Sequence, residues 1–219
     1  MLKGLFHLLY PPKCILCGKL LGDDETDLCR HCRQSTPEYP KGKFKISFVA
    51  RWTAVWYYKD AVRSSILRYK FGRRYRYGGA YGRLLAMKLL SSGFRDFDVL
   101  TWVPTSFRRR WARGFDQVAV IARAVAKEFD CQALPVLRKS RHNKPQSRQP
   151  SFAGRRANVL GAYRVKDPAA IAGKRVLLLD DIITSGATAS ECARTLLTAG
   201  AKEVICAAVA AASEHKSTM

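Results

Sequence analysis

The sequence predicts an α/β protein, in which helices cover both faces of a parallel β-sheet and a small cysteine-rich module comes first. From residue 98 onward, short apolar segments alternate with longer segments of helical period, a pattern typical of parallel sheets buried on both faces. Four regularly spaced cysteines mark the module. The 219 residues suffice for one α/β core and a small appendage. We therefore expect two domains, 1–42 and 43–219.

The first half of the larger domain is expected to contain strands followed by two helices. The segment ISFVARWTAVWYY (46–58) is β-branched and aromatic, with a strand–turn–strand rhythm. KDAVRSSILRYKF (59–71) has the pattern of an amphipathic helix, and YGGAYGRLLAMKLLSSG (77–93) predicts a second helix that ends near Gly93.

The second half predicts alternating strands and helices around one long loop. Pro104 stops a strand in DVLTWVP (98–104), and FDQVAVIARAVAKEF (115–129) has apolar residues at helical spacing. The remaining expected elements are a weak strand in 132–139, a charged loop in 139–158, a short returning strand in 159–165, a strand in 174–181, a helix over 188–199 capped by Gly200, and a strand in 203–212.

The net charge predicts a polyanionic partner. The chain has 39 Lys and Arg against 17 Asp and Glu, a formal charge of +22. The excess is concentrated, with eleven basic residues against one acid in 41–80 and thirteen against three in 101–160. In RYKFGRRYRYGG (68–79), cations alternate with aromatic rings, as in proteins that bind single-stranded nucleic acid. The candidate contacts with single-stranded DNA are Lys70, Arg73, Arg74, Tyr75 and Arg76, although each ring could instead face the core.

We expect a cytoplasmic protein without a membrane span. The N-terminal apolar run is broken by His7, is halted by Pro11 and Pro12, and lacks a small-residue cleavage site, so it makes a poor signal peptide. No apolar stretch approaches the length of a transmembrane helix.

CILC and CRHC supply two Cys-x2-Cys pairs separated by 11 residues. This spacing predicts a structural zinc site with the ligands Cys14, Cys17, Cys29 and Cys32. A pair of disulfides and an iron–sulfur site are the alternatives, and the lack of an export signal disfavours the disulfides. Cys131, Cys192 and Cys206 lie in apolar surroundings and are expected to be buried.

VLLLDDIITSGAT (176–188) places two adjacent carboxylates at the end of an apolar strand, directly before a glycine-containing loop and a helix. In a parallel sheet, ligands bind beyond the carboxyl ends of the strands, and a helix N-terminus favours an anion. A ribose 5-phosphate would satisfy both groups, with hydroxyls on Asp180 and Asp181 and its phosphate in the loop. The alternative is a strand-to-helix turn with capping hydroxyls and solvated aspartates.

This stretch resembles the phosphoribosyl-pyrophosphate (PRPP) signature of type I phosphoribosyltransferases. The resemblance implies that fold and PRPP bound with Mg²⁺. It implies a pyrophosphate loop after the first core strand and a basic mobile loop that closes over the ligand. Carried onto this sequence, the PRPP-binding residues are Asp180, Asp181, Thr184, Ser185, Gly186, Ala187 and Thr188; the pyrophosphate loop holds Pro104, Thr105, Arg108, Arg109, Arg110 and Arg113; and the mobile loop holds Arg138, Arg141, Lys144 and Arg148.

The whole chain resembles the ComF family of competence proteins. The resemblance rests on the four-cysteine module, the stretch VPTSFRRRWARGFDQ (103–117), the basic loop and the PRPP signature. It implies a protein that assists incoming single-stranded DNA during natural transformation, beside a helicase-like partner. The alternative function is an active phosphoribosyltransferase that transfers ribose 5-phosphate to an unidentified acceptor, as in nucleotide salvage. Thr184 occupies the position at which purine-salvage members carry the aspartate that acts as a base.

Overall fold

The computed structural model describes residues 11–40, 42, 44–72, 74–140 and 159–213. The helices in these ranges are α1 (Arg30–Ser35), α2 (Asp60–Phe71), α3 (Tyr77–Ser91), α4 (Phe107–Arg113), α5 (Gln117–Glu128) and α6 (Ala187–Thr198). The strands are β1 (Arg51–Tyr57), β2 (Val99–Trp102), β3 (Leu137–Lys139), β4 (Tyr163–Val165), β5 (Arg175–Ile183) and β6 (Glu203–Ala211).

The main sheet has four strands in the order β1-β6-β5-β2, and every neighbouring pair is parallel. The pairing places Val99 opposite Val176 and Arg175 opposite Glu203. Because all four strands run in the same direction, their carboxyl ends lie along one edge of the sheet. The predicted parallel sheet is confirmed.

Side chains of β5 alternate between two buried layers. Leu177 and Leu179 join the apolar cluster that includes residues of α2, α3 and α5. Val176 and Leu178 join the cluster on the opposite face, which includes residues of α6. The near-continuous apolar sequence of this strand therefore reflects burial on both sides, as the sequence predicted.

Three local features differ from the sequence predictions. Residues 46–49 form a turn closed by a hydrogen bond from Val49 N–H to the Ile46 carbonyl, so only the second half of 46–58 is a strand. β3 and β4 pair with each other antiparallel in a separate two-stranded sheet. The predicted pyrophosphate loop contains a seven-residue helix, α4.

The cysteine-rich module packs against helix α2. Ile15 and Leu16 are buried in the same apolar cluster as Ile66. The Ser65 hydroxyl donates to the Ile15 carbonyl, and the Arg68 guanidinium donates to the Leu16 carbonyl over 2.6 Å. The module is therefore joined to the larger domain by both apolar and polar contacts.

Residues 38–40 and Gly42 follow strand β1 at the edge of the main sheet. Glu38 pairs antiparallel with Trp56, and the Tyr39 N–H donates to the Val55 carbonyl over 2.8 Å. The domain boundary at 42/43 stays a prediction. Among the described ranges, none of the helices combines the length and apolar character required to cross a membrane.

Candidate functional site

Asp180 and Asp181 lie near the carboxyl end of β5, and only 8% and 7% of their surfaces are exposed. The Asp180 Oδ1 accepts a hydrogen bond of 2.8 Å from the Asp181 N–H. Burial of the Asp180 carboxyl and the neighbouring Asp181 charge raise the pKa of Asp180 to about 8. A ligand that donates hydroxyl hydrogens, or brings a cation, would favour the ionised form of this carboxyl.

Asp181 is paired with groups from α2 and α5. Its Oδ1 lies 2.9 Å from the Lys70 Nζ, and its Oδ2 accepts from the Gln117 Nε2 over 3.2 Å. Lys70 was predicted to contact DNA, but the structure places it in this site. Gln117 was not among the predicted site residues. A ligand that used Asp181 would have to rearrange these partners.

The RGFDQ stretch (113–117) positions Gln117. Gly114 adopts a left-handed φ of +80° at the end of α4, and Phe115 packs against Tyr69 with ring centroids 5.3 Å apart. Asp116 caps α5, because its carboxylate accepts from the Ala119 N–H over 3.2 Å. The Gln117 carbonyl accepts from the Tyr69 hydroxyl over 2.7 Å. The Gln117 side chain is thereby directed toward Asp181.

The loop 184–186 connects β5 to the N-terminus of α6. Gly186 has a φ of +72°, and a Cβ built there would lie 2.9 Å from Ile46 Cγ1, so glycine fits for two reasons. The first turn of α6 has no acidic residue and no side-chain cap. The buried Ser185 Oγ has no hydrogen-bond partner within the described ranges. This unpartnered hydroxyl and the backbone N–H groups of the first turn could together accept an anion.

An arginine of α4 and a lysine of β3 interact electrostatically with the acidic pair. Arg109 and Arg113 are half-buried and one helical turn apart. Burial lowers the pKa of Arg113, while the charge of Asp181 opposes that change. Burial and the nearby Arg109 lower the pKa of Lys139, whereas Asp180 opposes it. Each carboxylate therefore interacts with a cation from another element, a charge pattern that suits a multiply charged phosphate ester.

The other predicted pyrophosphate residues lie nearby. Arg108 and Arg110 are exposed, and Pro104 follows β2 closely. The Thr105 hydroxyl donates to the Asp116 Oδ1 over 3.2 Å.

Lys139, the neighbour of the predicted Arg138, is the β3 residue that interacts electrostatically with Asp180. Arg138 is exposed and pairs across the two-stranded sheet with Arg164, whereas the Lys139 Nζ lies 5.2 Å from the centre of the Tyr163 ring. The period of two along a strand separates the two cations. The other mobile-loop candidates lie outside the described residues: Arg141, Lys144 and Arg148.

The remaining DNA-binding candidates occupy the segment between α2 and α3. Arg74, Tyr75 and Arg76 are exposed, and Arg73 lies outside the described residues. Among the neighbouring rings, Tyr69 is fully buried, while 68% of Phe71 is exposed.

The four module cysteines form a cluster suited to zinc. All four sulfur atoms lie within 4.8 Å of one another, and Cys17 Sγ is 3.7 Å from Cys29 Sγ. Ligands about 2.3 Å from a tetrahedral zinc ion would be about 3.8 Å apart. Burial of Cys14 opposes ionisation, but hydrogen bonds from Cys17, Cys29 and Leu16 N–H groups lower its pKa to about 7. The geometry and the acidity of Cys14 fit a thiolate-bound metal.

The three cysteines outside the module are free thiols. Cys192 and Cys206 are buried, as predicted. Cys131 is exposed, so its predicted burial was wrong. It follows the end of α5, where the chain turns at the surface.

Two family models match the chain. "Phosphoribosyl transferase domain" matches residues 118–218, and "Double zinc ribbon domain" matches residues 5–43. The chain therefore has the predicted α/β fold of the phosphoribosyltransferases with a zinc ribbon at its N-terminus.

Relatives of known name extend over most of the chain. "DNA utilization protein YhgH" of Escherichia coli O157:H7 is 29% identical, covering 87% of this chain and 86% of its own. "Competence protein ComFC" of Streptococcus pneumoniae is 26% identical, covering 88% and 96%. In the solved structure of a glutamine PRPP amidotransferase from B. subtilis, complexed with ADP and GMP, the similar region is 25% identical and covers 64% of this chain but only 30% of that one, with a TM-score of 0.43.

Proposed function

We propose that this chain is a ComF-like protein that assists DNA uptake. The proposal is supported by its zinc ribbon and phosphoribosyl transferase domain and by its similarity to competence and DNA utilization proteins. In this function it binds PRPP, or a similar ribose 5-phosphate ligand, together with single-stranded DNA. A helicase-like competence protein is the proposed partner, and the cytoplasm the proposed location.

The single observation that carries the ligand proposal is the arrangement at the end of β5. A buried acidic pair precedes a loop in which Gly186 has a positive φ and the buried Ser185 hydroxyl has no partner among the described residues. Neutral sugar hydroxyls match the carboxylates, and a phosphate matches the loop and the helix N-terminus. A ligand without sugar hydroxyls, such as inorganic phosphate, would contact the loop but not the two carboxylates.

The cations suggest how the ligand would be oriented. The 5-phosphate would lie on residues 184–188, and the pyrophosphate would extend toward Arg109, Arg113 and Lys139. Bound Mg²⁺ would neutralise part of the pyrophosphate charge. Lys70 would leave Asp181 as the sugar hydroxyls arrive, because both need the same carboxylate oxygens.

Isothermal titration calorimetry with PRPP and Mg²⁺ tests the ligand. We expect saturable binding, which the double variant Asp180→Ala with Asp181→Ala abolishes. The same variant should keep most of its affinity for single-stranded DNA. If the zinc-loaded, folded protein gives no binding heat with millimolar PRPP, the ligand proposal is wrong. Equal loss of both affinities would contradict the separation of the two sites.

The alternative is that the same site catalyses the transfer of ribose 5-phosphate from PRPP to an acceptor. The match to a transferase domain and the cations beside the acidic pair favour it. Thr184, however, cannot act as a base on an acceptor at neutral pH. Release of pyrophosphate from PRPP, screened across nucleobases with and without DNA, distinguishes the two functions. Release with any acceptor would contradict a purely binding role.

A further inference from the structure

Helix α4 turns its aromatic side chains away from the protein. None of its residues is buried; 66% of Phe107 and 80% of Trp111 are exposed. These rings are one helical turn apart and therefore lie on one side of the helix. Arg109 and Arg113, also one turn apart, are half-buried on the other side, where Arg113 interacts with Asp181. A surface helix usually places its apolar side against the core, so this arrangement is reversed.

The charge of α4 restricts what could cover these rings. Its only charged side chains are four arginines, Arg108, Arg109, Arg110 and Arg113. The Arg110 guanidinium carbon lies 5.6 Å from the centre of the Phe107 ring. The exposed rings are thus accompanied by cations with no acid in the same helix, which favours an anionic partner.

A third exposed ring lies at the end of α2, beside the inner side of α4. The Arg113 guanidinium carbon lies 5.1 Å from the centre of the Phe71 ring, which is 68% exposed. Tyr75, four residues further along, is 59% exposed. We call Phe107 and Trp111, with the exposed Arg108 and Arg110, the aromatic ridge. It presents flat rings interrupted by guanidinium groups.

We propose that the aromatic ridge binds single-stranded DNA by stacking unpaired bases on Trp111 and Phe107. The proposal rests on the DNA-binding part of the proposed function and assigns it a site outside residues 73–76. Base stacking needs flat, accessible rings, and arginines between them can bind the phosphodiester backbone. An anionic lipid surface is the competing partner. Large aliphatic side chains, which would insert into a lipid interface, are absent from α4, whose other apolar residue is Ala112.

Because Arg113, which interacts with Asp181, lies in the same helix as the ridge, bound DNA would pass along the edge of the ligand site. The ridge would then hold bases in place at the mouth of that site.

Trp111 also provides a selective probe. The chain has four tryptophans, and the other three, Trp52, Trp56 and Trp102, are at most 8% exposed. Iodide-accessible fluorescence should therefore come from Trp111. Titration of the zinc-loaded full chain with oligothymidylate should quench this emission and protect it from iodide.

Variants of Trp111 distinguish the contribution of base stacking to DNA affinity from that of charge. Trp111→Ala should weaken oligothymidylate binding by roughly tenfold, whereas Trp111→Phe should keep most of it. Met87→Ala, which changes an exposed apolar side chain on α3, is the matched control and should leave the affinity unchanged. An abasic strand of equal length should bind the parent and Trp111→Ala equally, because only phosphates remain.

Three results would overturn the proposal. If the protein binds oligothymidylate with unchanged Trp111 emission and unchanged affinity in Trp111→Ala, the ridge is not the site, although the proposed function stands. If no single strand binds, the DNA part of the proposed function fails as well. If vesicles of anionic lipid shift Trp111 emission and oligothymidylate does not, the ridge is a lipid-binding surface.

Discussion

Asp180 and Asp181 are neighbours in the sequence but have different surroundings. Asp181 lies against a lysine and a glutamine amide, whereas Asp180 is buried next to another carboxylate. Because adjacent residues in a strand point to opposite faces, the two carboxyls meet different layers of the protein. Asp181 thus forms an ion pair with Lys70, whereas burial and the neighbouring carboxylate raise the pKa of Asp180.

The first prediction concerns the pH dependence of stability. The pKa of Asp180 rises from 3.8 to about 8 on folding, so the folded state keeps a proton that the unfolded chain has lost. Because Asp180 is ionised in the unfolded chain but still protonated in the folded protein between these two values, the free energy of unfolding falls as the pH rises across this range. Asp180→Asn should melt at a higher temperature than the parent at pH 8 and at the same temperature near pH 4.

Asp181→Asn is the matched control. It leaves the largely buried Lys70 ammonium without its partner and should destabilise the protein by about 3 kcal/mol at pH 8. Identical pH profiles for the parent and Asp180→Asn would show that Asp180 is ionised normally in the folded protein.

Gly186 provides the second prediction. Alanine there adopts an unfavourable φ, at a cost of about 1 kcal/mol, and its Cβ also meets Ile46, at a further 1–3 kcal/mol, about the usual cost of overpacking. Gly93→Ala shares the positive φ but has nothing within 4 Å, so chemical denaturation should show a smaller loss. In the double variant Gly186→Ala with Ile46→Ala, the loss of stability should be smaller than the sum of the losses in the two single variants. Equal losses for the two glycine variants would contradict the contact with Ile46.

At the scale of elements, the zinc ribbon and α2 depend on each other. Ile15 and Leu16 fill part of the apolar cluster beneath α2, while Ser65 and Arg68 bind their carbonyl groups. The ribbon has too few apolar residues to fold without its metal.

The third prediction follows from this contact. Zinc removal by a chelator should release one zinc per chain and lower the melting temperature of the whole protein. Loss of the ribbon would expose the apolar side of α2. Cys17→Ser should reproduce the effect, and Cys131→Ser, which changes an exposed thiol away from the cluster, should not. A melting temperature unchanged by complete zinc loss would show that the larger domain is independent of the ribbon.

Helix α4 illustrates why periodicity alone was insufficient at this scale. The resemblance to phosphoribosyltransferases implies a pyrophosphate loop over this segment, and its many arginines give no apolar side directed at the core. The structure contains a seven-residue helix whose Arg113 interacts electrostatically with Asp181. By contrast, α5 has a clear apolar stripe and was predicted within two residues at its start.

At the scale of the whole molecule, the charge of +22 gives the fourth prediction. Binding of single-stranded DNA should weaken steeply with salt, with a slope of roughly −0.7 per neutralised phosphate in a plot of log affinity against log salt. PRPP binding uses a few enclosed cations and should depend less on salt. Fluorescence anisotropy and calorimetry across a salt series provide both slopes. A DNA affinity that is insensitive to salt would contradict an electrostatic interface.

The sequence by itself determined the fold class, the zinc ligands and the location of the acidic pair. Each of these depends on local patterns: burial on two faces makes a strand continuously apolar, and a metal knuckle needs two cysteines close in the chain.

Only the tertiary structure decided which groups meet the carboxylates. Lys70, Gln117 and Lys139 come from three separate elements, and their proximity to β5 depends on sheet order and helix packing. It also decided which rings are exposed, because Tyr69 and Phe71 lie in the same helix and differ only in the face they occupy. Such relations arise between residues distant in sequence, so no local pattern records them.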